Sequence, residues 1–292
     1  MIKLFTLILS IIIFCSCAER KMIRELQTFA PIENYENDVF LDTVKNKRAL
    51  VIVAHDDDDC VMSGTIAKLT LAGWKIKSLS FESHNSSTTG KNPTEIICSG
   101  NELILNDGVY RKGLDTMSKP YLPIPHEVIN NQFYTTKIKP VLIRKINEYN
   151  PSVIFSLDNE KGGYGHPEHV YISQLVKDLF DEKKINIQRI YQGVLTNWME
   201  EKIMDEWLDK KLKKWGFLNV STIANDVYEI DGMPEPNVQI NISELAKTKM
   251  EYLRAYEEGV KKNIRKFIPY YEEIKPEIYF TIFDREFFRV LE

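Results

Sequence analysis

From Arg48 the chain reads RALVIVAH, an unbroken apolar run that ends on a histidine. A run of that kind predicts a strand buried on both faces. The next stretch, CVMSGTIAKLTLAG, sets Val61, Ile66, Leu69 and Ala72 near helical spacing and closes on Gly73, suited to a helix C-terminus. WKIKSLSFESH then alternates as a second strand. Strand, helix and strand in that order imply a parallel pair with a right-handed crossover. The alternation returns further on. PVLIRKINEYN reads as a helix stopped ahead of Pro151, SVIFSLDN as a strand, PEHVYISQLVKDLFDEK as a helix with Pro167 in its first turn, and IQRIYQGVLT as another strand. Two charged amphipathic helices are expected near 199–215 and 242–266. The tail EIYFTIFDREFFRVL is rich in β-formers and predicts a late strand or hairpin. No internal repeat or low-complexity linker interrupts the series, so one α/β domain with a mostly parallel sheet is expected over 46–292.

The first seventeen residues, MIKLFTLILSIIIFCSC, follow a different pattern. Lys3 supplies a positive start and Leu4 to Phe14 an apolar stretch too short to span a bilayer as a helix, which fits an export signal over 1–16. The end of this stretch is similar to a bacterial lipoprotein signal, with Ser16 ahead of Cys17, the candidate for lipidation. Cys15 follows the bulky Phe14 and is the weaker candidate. Ordinary cleavage or an uncleaved anchor are the alternatives. A lipidated Cys17 would hold the protein on the cell envelope. Residues 17–45 are polar and mixed, and are expected to be a tether and lead-in to the domain.

Composition narrows the field. The 292 residues are 43% apolar and 27% charged, with a formal net charge of −4, which is ordinary for a globular chain. Nothing in that balance suggests nucleic-acid binding, and the basic residues are interspersed with acids rather than gathered in a polybasic run. Cys60 and Cys98 remain in the body. One disulfide is possible, but two cysteines make no framework; Cys60 reads as a small apolar residue on the following helix. The stretch from about 85 to 135 is rich in turn formers and is either substrate-facing or a plain surface insertion.

The chemistry concentrates in two places. HDDDD, residues 55–59, follows the first strand, and DNEKGGYGHPEH begins where SVIFSLDN ends. Ligands of open α/β sheets sit at the carboxyl ends of the strands, so both clusters fall on one edge. Three of the five histidines, His55, His166 and His169, lie in these stretches. Adjacent carboxylates repel unless a cation or water neutralises them. Helix capping or an oxygen-bound Mg²⁺ or Ca²⁺ would each explain the aspartates alone, but the histidines favour zinc, which takes about three His and carboxylate ligands in catalytic sites. His55 and Asp58 can face one point, leaving Asp57 to act on water.

VIVAHDDDDCVMSGTIAKL and GGYGHPEH resemble the two signature motifs of the PIG-L/LmbE family of zinc-dependent N-deacetylases, usually AHPDDE and GGYGHPDH. The resemblance implies a three-layer, Rossmann-like fold with Zn²⁺ on His55, Asp58 and His169. It also implies Asp57 as general base, His166 as oxyanion donor helped by Glu168, and Tyr164 as a mobile hydroxyl near the substrate carbonyl. The expected substrate is an N-acetylglucosamine-type sugar or glycan. A zinc amidase or esterase on another acyl group, or a non-catalytic carbohydrate-binding lipoprotein, are the alternatives. Asp56 departs from the motif's proline, Asp59 from its glutamate and Glu168 from its aspartate. The family's sugar-contacting arginine has no match, since no arginine falls between Arg48 and Arg111. Oligomeric state is left open.

Overall fold

The computed structural model describes residues 18–83 and 90–292. The expected signal and Cys17 lie outside the described residues, as does part of the 85–135 stretch. A single eight-stranded sheet in the order β1-β7-β8-β6-β5-β2-β3-β4 organises the rest. The strands are β1 (Glu36–Asn37), β2 (Arg48–Ile52), β3 (Lys75–Ser80), β4 (Asn101–Leu103), β5 (Val153–Leu157), β6 (Arg189–Val194), β7 (Val238–Asn241) and β8 (Arg285–Leu291). All neighbouring pairs are parallel except those made by β8, which runs antiparallel between β6 and β7.

The unbroken apolar run of β2 has a plain cause. Ala49, Val51 and Val53 feed the core on one face of the sheet, while Leu50, Ile52 and Ala54 feed the core on the other. With no face left for water, the run carries no polar residue until the sheet ends. Three helices cover it, α2 (Ser63–Leu71) after β2, α3 (Thr135–Tyr149) before β5 and α4 (Pro167–Asp181) after β5. The chain steps from β2 to β3 on one side and later from β5 to β6 on the other. The crevice between β2 and β5 is therefore the switch point, where the loops after two adjacent strands diverge.

Four expectations are revised. Residues 17–45, expected as a tether, are folded onto the body from residue 18: helix α1 (18–29) buries Leu26 and Phe29 in the core, and β1 pairs with β7. The tail splits into helix Pro276–Ile282 and strand β8, because Pro276 opens the helix and Tyr279 and Phe280 are buried there, overriding β-propensity. The helix expected over 242–266 breaks into Ala246–Ala255 and Glu258–Phe267 at Tyr256, whose extended backbone lets its hydroxyl reach the Asp56 carbonyl at 2.6 Å. The 85–135 stretch is not irregular throughout, since it contains helices Pro93–Ile97 and His126–Gln132 and strand β4. Cys60 and Cys98 are free thiols. Among the described residues no helix is long and apolar enough to cross a membrane.

Candidate active site

The first loop is a tight turn that leaves β2 and winds into one 3₁₀ turn, Asp58–Val61, ahead of α2. Asp58 closes it. Its carboxylate accepts the His55 backbone N–H at 2.7 Å, while its own N–H donates to the His55 carbonyl at 3.2 Å. The four aspartates diverge from there. Asp59 is fully buried and accepts a hydrogen bond from the Tyr252 hydroxyl. Burial, together with the charges of Asp56, Asp57 and Asp58, pushes its carboxyl well above the usual range, so it is held neutral. Asp56 is buried as well and accepts from the Ser83 hydroxyl at 3.2 Å. The turn that lacks the motif's proline is thus held by Asp58 from within and by Tyr256 from outside.

The second loop leaves β5 through Asp158, whose Oδ1 accepts the N–H groups of Glu160, Lys161 and Gly162 and whose Oδ2 accepts that of Gly163. Gly162 and Gly165 both have positive φ, 63° and 99°. A Cβ at Gly162 would lie 2.7 Å from the His169 Cβ, and one at Gly165 would lie 2.3 Å from Ala224. Glycine is required there because the loop must pass against α4 and against helix Val220–Tyr228, whose Tyr228 hydroxyl donates to the Gly165 carbonyl at 2.9 Å. His166 then caps α4, and Pro167 starts it.

The two loops bring His55, Asp58 and His169 together. His55 Nδ1 lies 3.2 Å from His169 Nε2 and 3.4 Å from Asp58 Oδ2, and His169 Nε2 lies 3.0 Å from Asp58 Oδ1. The other ring nitrogens face groups that only accept: His55 Nε2 meets Glu168 Oε2 at 3.0 Å and His169 Nδ1 meets the Gly162 carbonyl at 2.9 Å. Each outer nitrogen therefore carries its ring's proton, which leaves two imidazole lone pairs and a carboxylate converging on one point. Such a set needs a cation. A proton serves in its simplest form: burial pulls the His55 imidazole down, but Asp58 and Glu168 lift it well above its ordinary value. Burial would raise the Asp58 carboxyl, yet His169 and His55 bring it well below the usual range. Zinc fits the same set, since tetrahedral bonds of about 2.0–2.1 Å hold two nitrogens about 3.3 Å apart.

The remaining expected residues surround that point. The His166 ring stacks on His169 at 4.8 Å between centroids, and its Nδ1 accepts the Glu168 N–H at 3.2 Å, so its proton sits on Nε2. Burial and the neighbouring imidazoles His169 and His55 hold it well below its usual value, and it is a neutral donor. Tyr164 stacks on Phe267 at 4.4 Å and sets its ring edge-on to His169 at 5.1 Å. Burial, Asp58 and Asp57 raise its phenol, keeping the hydroxyl protonated. Asp57 is half-buried at the head of the 3₁₀ turn and belongs to neither close ligand group among the described residues, His55–Asp58–His169 or His55–His166–Glu168.

Glu168 touches both histidines. Its backbone N–H holds the His166 ring, while its carboxylate holds the His55 ring, takes a 2.9 Å bond from Arg111 Nη1 and a 3.3 Å bond from the Tyr110 hydroxyl. Burial opposes the charge, but the bonds from His55 and Arg111 bring its pKa down to about 2. Arg111, buried and bonded to Glu168 and to the Pro120 carbonyl at 2.7 Å, thus reaches the site through Glu168. Tyr110, Arg111 and Asp158 carried no sequence signal beyond Asp158 standing at a strand end.

Comparison with known proteins agrees in part. No curated protein matches the chain. Among solved structures the chain is similar to the 4-carboxy-2-hydroxymuconate hydratase from Pseudomonas putida KT2440, with 9% identity, 84% of this chain and 96% of that one covered, and a TM-score of 0.43. It is also similar to the N,N'-diacetylchitobiose deacetylase from Pyrococcus horikoshii, at 17% identity, 94% and 92% coverage and a TM-score of 0.39. The teicoplanin deacetylase Orf2 matches at 13% identity, 50% and 67% coverage and a TM-score of 0.36. All three lie below a TM-score of 0.5, so the chemistry has to come from the residues themselves. Residues 50–180, which contain both loops with His55, Asp57, Asp58, Tyr164, His166, Glu168 and His169, match the model of the PIG-L family (GlcNAc-PI de-N-acetylase).

Proposed function

We propose that the protein is a zinc-dependent hydrolase that removes the acetyl group from the nitrogen of an N-acetylglucosamine-type sugar or glycoconjugate, and that it is exported and held at the envelope through Cys17. The observation that carries the catalytic reading is the convergence of the His55 and His169 lone pairs on Asp58, with both outer N–H groups already committed. Zinc on those three residues would supply Lewis acidity, polarising the acyl carbonyl and bringing the pKa of water toward about 7. Asp57, a carboxylate outside the ligand set, takes the proton of the attacking water. His166 Nε2–H and the Tyr164 hydroxyl, both held in their proton-bearing neutral forms, donate to the developing oxyanion. Asp57, then protonated, returns the proton to the leaving amine. Glu168, clamped by Arg111 and Tyr110, keeps the His55 ring in the tautomer that presents Nδ1.

The test pairs metal analysis of purified protein with an acetate-release assay on acetylated amino sugars and glycans. The expected result is one zinc per chain and acetate release, with Asp57→Ala lowering turnover by about 10²–10⁴-fold while zinc content is kept. Zinc lost together with activity would mean that Asp57 is a ligand. Hydrolysis of other acyl amides without acetate release from any sugar would move the substrate class and keep the site.

A further inference from the structure

We propose that the turn Trp215–Leu218, together with the cationic start of α1 beside it, is a docking surface for the anionic headgroups of a lipid bilayer. The helix formed by Asn197–Met199, Glu200–Leu208 and Asp209–Lys214 ends in KKWGFL, with Trp215, Phe217 and Leu218 exposed by 56%, 63% and 59%. Other large apolar residues that are strongly exposed among the described residues, such as Ile32, Val39 and Leu71, stand singly. The turn is built, not frayed. Phe217 N–H donates to the Leu212 carbonyl at 2.9 Å, Gly216 takes the positive φ of 74° that closes the helix, and the Asn219 side chain donates to the Met204 carbonyl at 3.0 Å. Apolar side chains held outward by a satisfied backbone are presented to something, and a contiguous apolar tip marks an interaction site.

Tertiary packing indicates what covers it. Helix α1 lies antiparallel to this helix: Phe29 meets Trp207 edge-on at 6.3 Å, while Glu25 accepts from the Tyr270 hydroxyl at 2.8 Å beneath Lys211, whose ammonium lies 5.7 Å from the Tyr270 ring. The Trp198 indole N–H donates to the Thr28 carbonyl at 3.1 Å, so going from Thr28 back to Glu25 corresponds to going from Trp198 toward Lys211. The seven residues of α1 before Glu25 reach about 10 Å further, and the helix end and its turn extend roughly as far beyond Lys211. The described chain begins at Ala18 on that same end, next to Cys17, the residue proposed above to carry the lipid. Arg20, Lys21 and Arg24 are exposed on α1, and Lys213 and Lys214 on the other helix. The nearby acids Glu206 and Asp209 are engaged by Lys210 at 3.7 Å and Lys213 at 2.7 Å, which leaves Lys214 and the α1 cations facing outward. The short basic run KKLKK leads straight into the aromatic tip, and the fold adds Arg20, Lys21 and Arg24 of α1 to it. Aromatic and apolar side chains ringed by lysine and arginine match the boundary between headgroups and acyl chains.

Hydrogen exchange by mass spectrometry on the full chain, with and without vesicles of phosphatidylglycerol and phosphatidylethanolamine, tests this. Amides of residues 213–219 are expected to exchange about tenfold more slowly with vesicles, and W215S/F217S/L218S to lose that protection while still sedimenting with them through the lipid on Cys17. The substituted side chains are exposed, so the variant should keep the wild-type melting temperature. Sedimentation of the wild type with unchanged exchange at 213–219 would overturn the proposal. So would protection that appears without vesicles and rises with protein concentration, which would assign the turn to a second copy of the chain.

Discussion

The two loops that build the site are made in opposite ways. The turn after β2 is a concentration of charge: four aspartates, one held neutral by burial, one joined to Ser83, one set against two imidazoles and one left half-exposed. The loop after β5 is a piece of backbone geometry, with Asp158 collecting four N–H groups and glycines passing where a Cβ would collide. The difference teaches that one loop supplies the ligands' charge and the other supplies their position. Damage to the first should therefore show in chemistry at preserved stability, and damage to the second in stability before chemistry.

The largest effect is expected for Asp58→Asn, which removes the carboxylate from the converging set. Zinc affinity should fall by at least about a hundredfold and activity with it, read by chelator competition; zinc binding at wild-type strength would reassign the ligand. Gly165→Ala should cost about 2–4 kcal/mol in urea unfolding, because the residue is held at φ 99° with no room beside Ala224. A loss below about 0.5 kcal/mol would show that the loop yields easily. The acid side of the comparison can be read from pH. Glu168 is carried down to about 2 in the fold, below its ordinary 4.5, so its contribution is complete above about 4.5 and disappears as pH falls toward 2. On the order of 3 kcal/mol should be lost across that window, and Glu168→Gln should flatten the slope. The smallest effect belongs to Asp59→Asn. A carboxyl whose burial favours the neutral form, and which is bonded to Tyr252, should tolerate the amide at less than about 1 kcal/mol. A large loss there would mean that Asp59 is charged.

Much of the scaffold was legible because its elements bury both faces. β2 and β5 lie where the hydrophobic pattern places them, since a strand covered on both sides can carry little but apolar residues, and β3, β6, α2 and α4 follow from their own alternating or helical spacing. Short edge strands such as β1 and β4 were not legible: Glu36–Asn37 and Asn101–Leu103 owe their conformation to a neighbour, not to their own composition. The helix Pro276–Ile282 was hidden because Tyr279 and Phe280 are wanted in a core, and residues with high β-propensity satisfy that demand in either conformation. The site divides along the same line. His55, Asp58 and His169 were readable as a converging donor set from residue type and strand-end position, whereas Arg111 was not, because its link to His55 runs through Glu168.

What the sequence determined by itself is a parallel α/β frame and the chemical identity of the groups at its carboxyl edge, since burial pattern and donor type are local properties of the chain. Which aspartate meets a histidine, which one gives up its charge, and how the cations of α1 come to lie beside Trp215 were decided only by tertiary packing. Those outcomes depend on distances between residues far apart in the chain, and electrostatic energy follows distance in space.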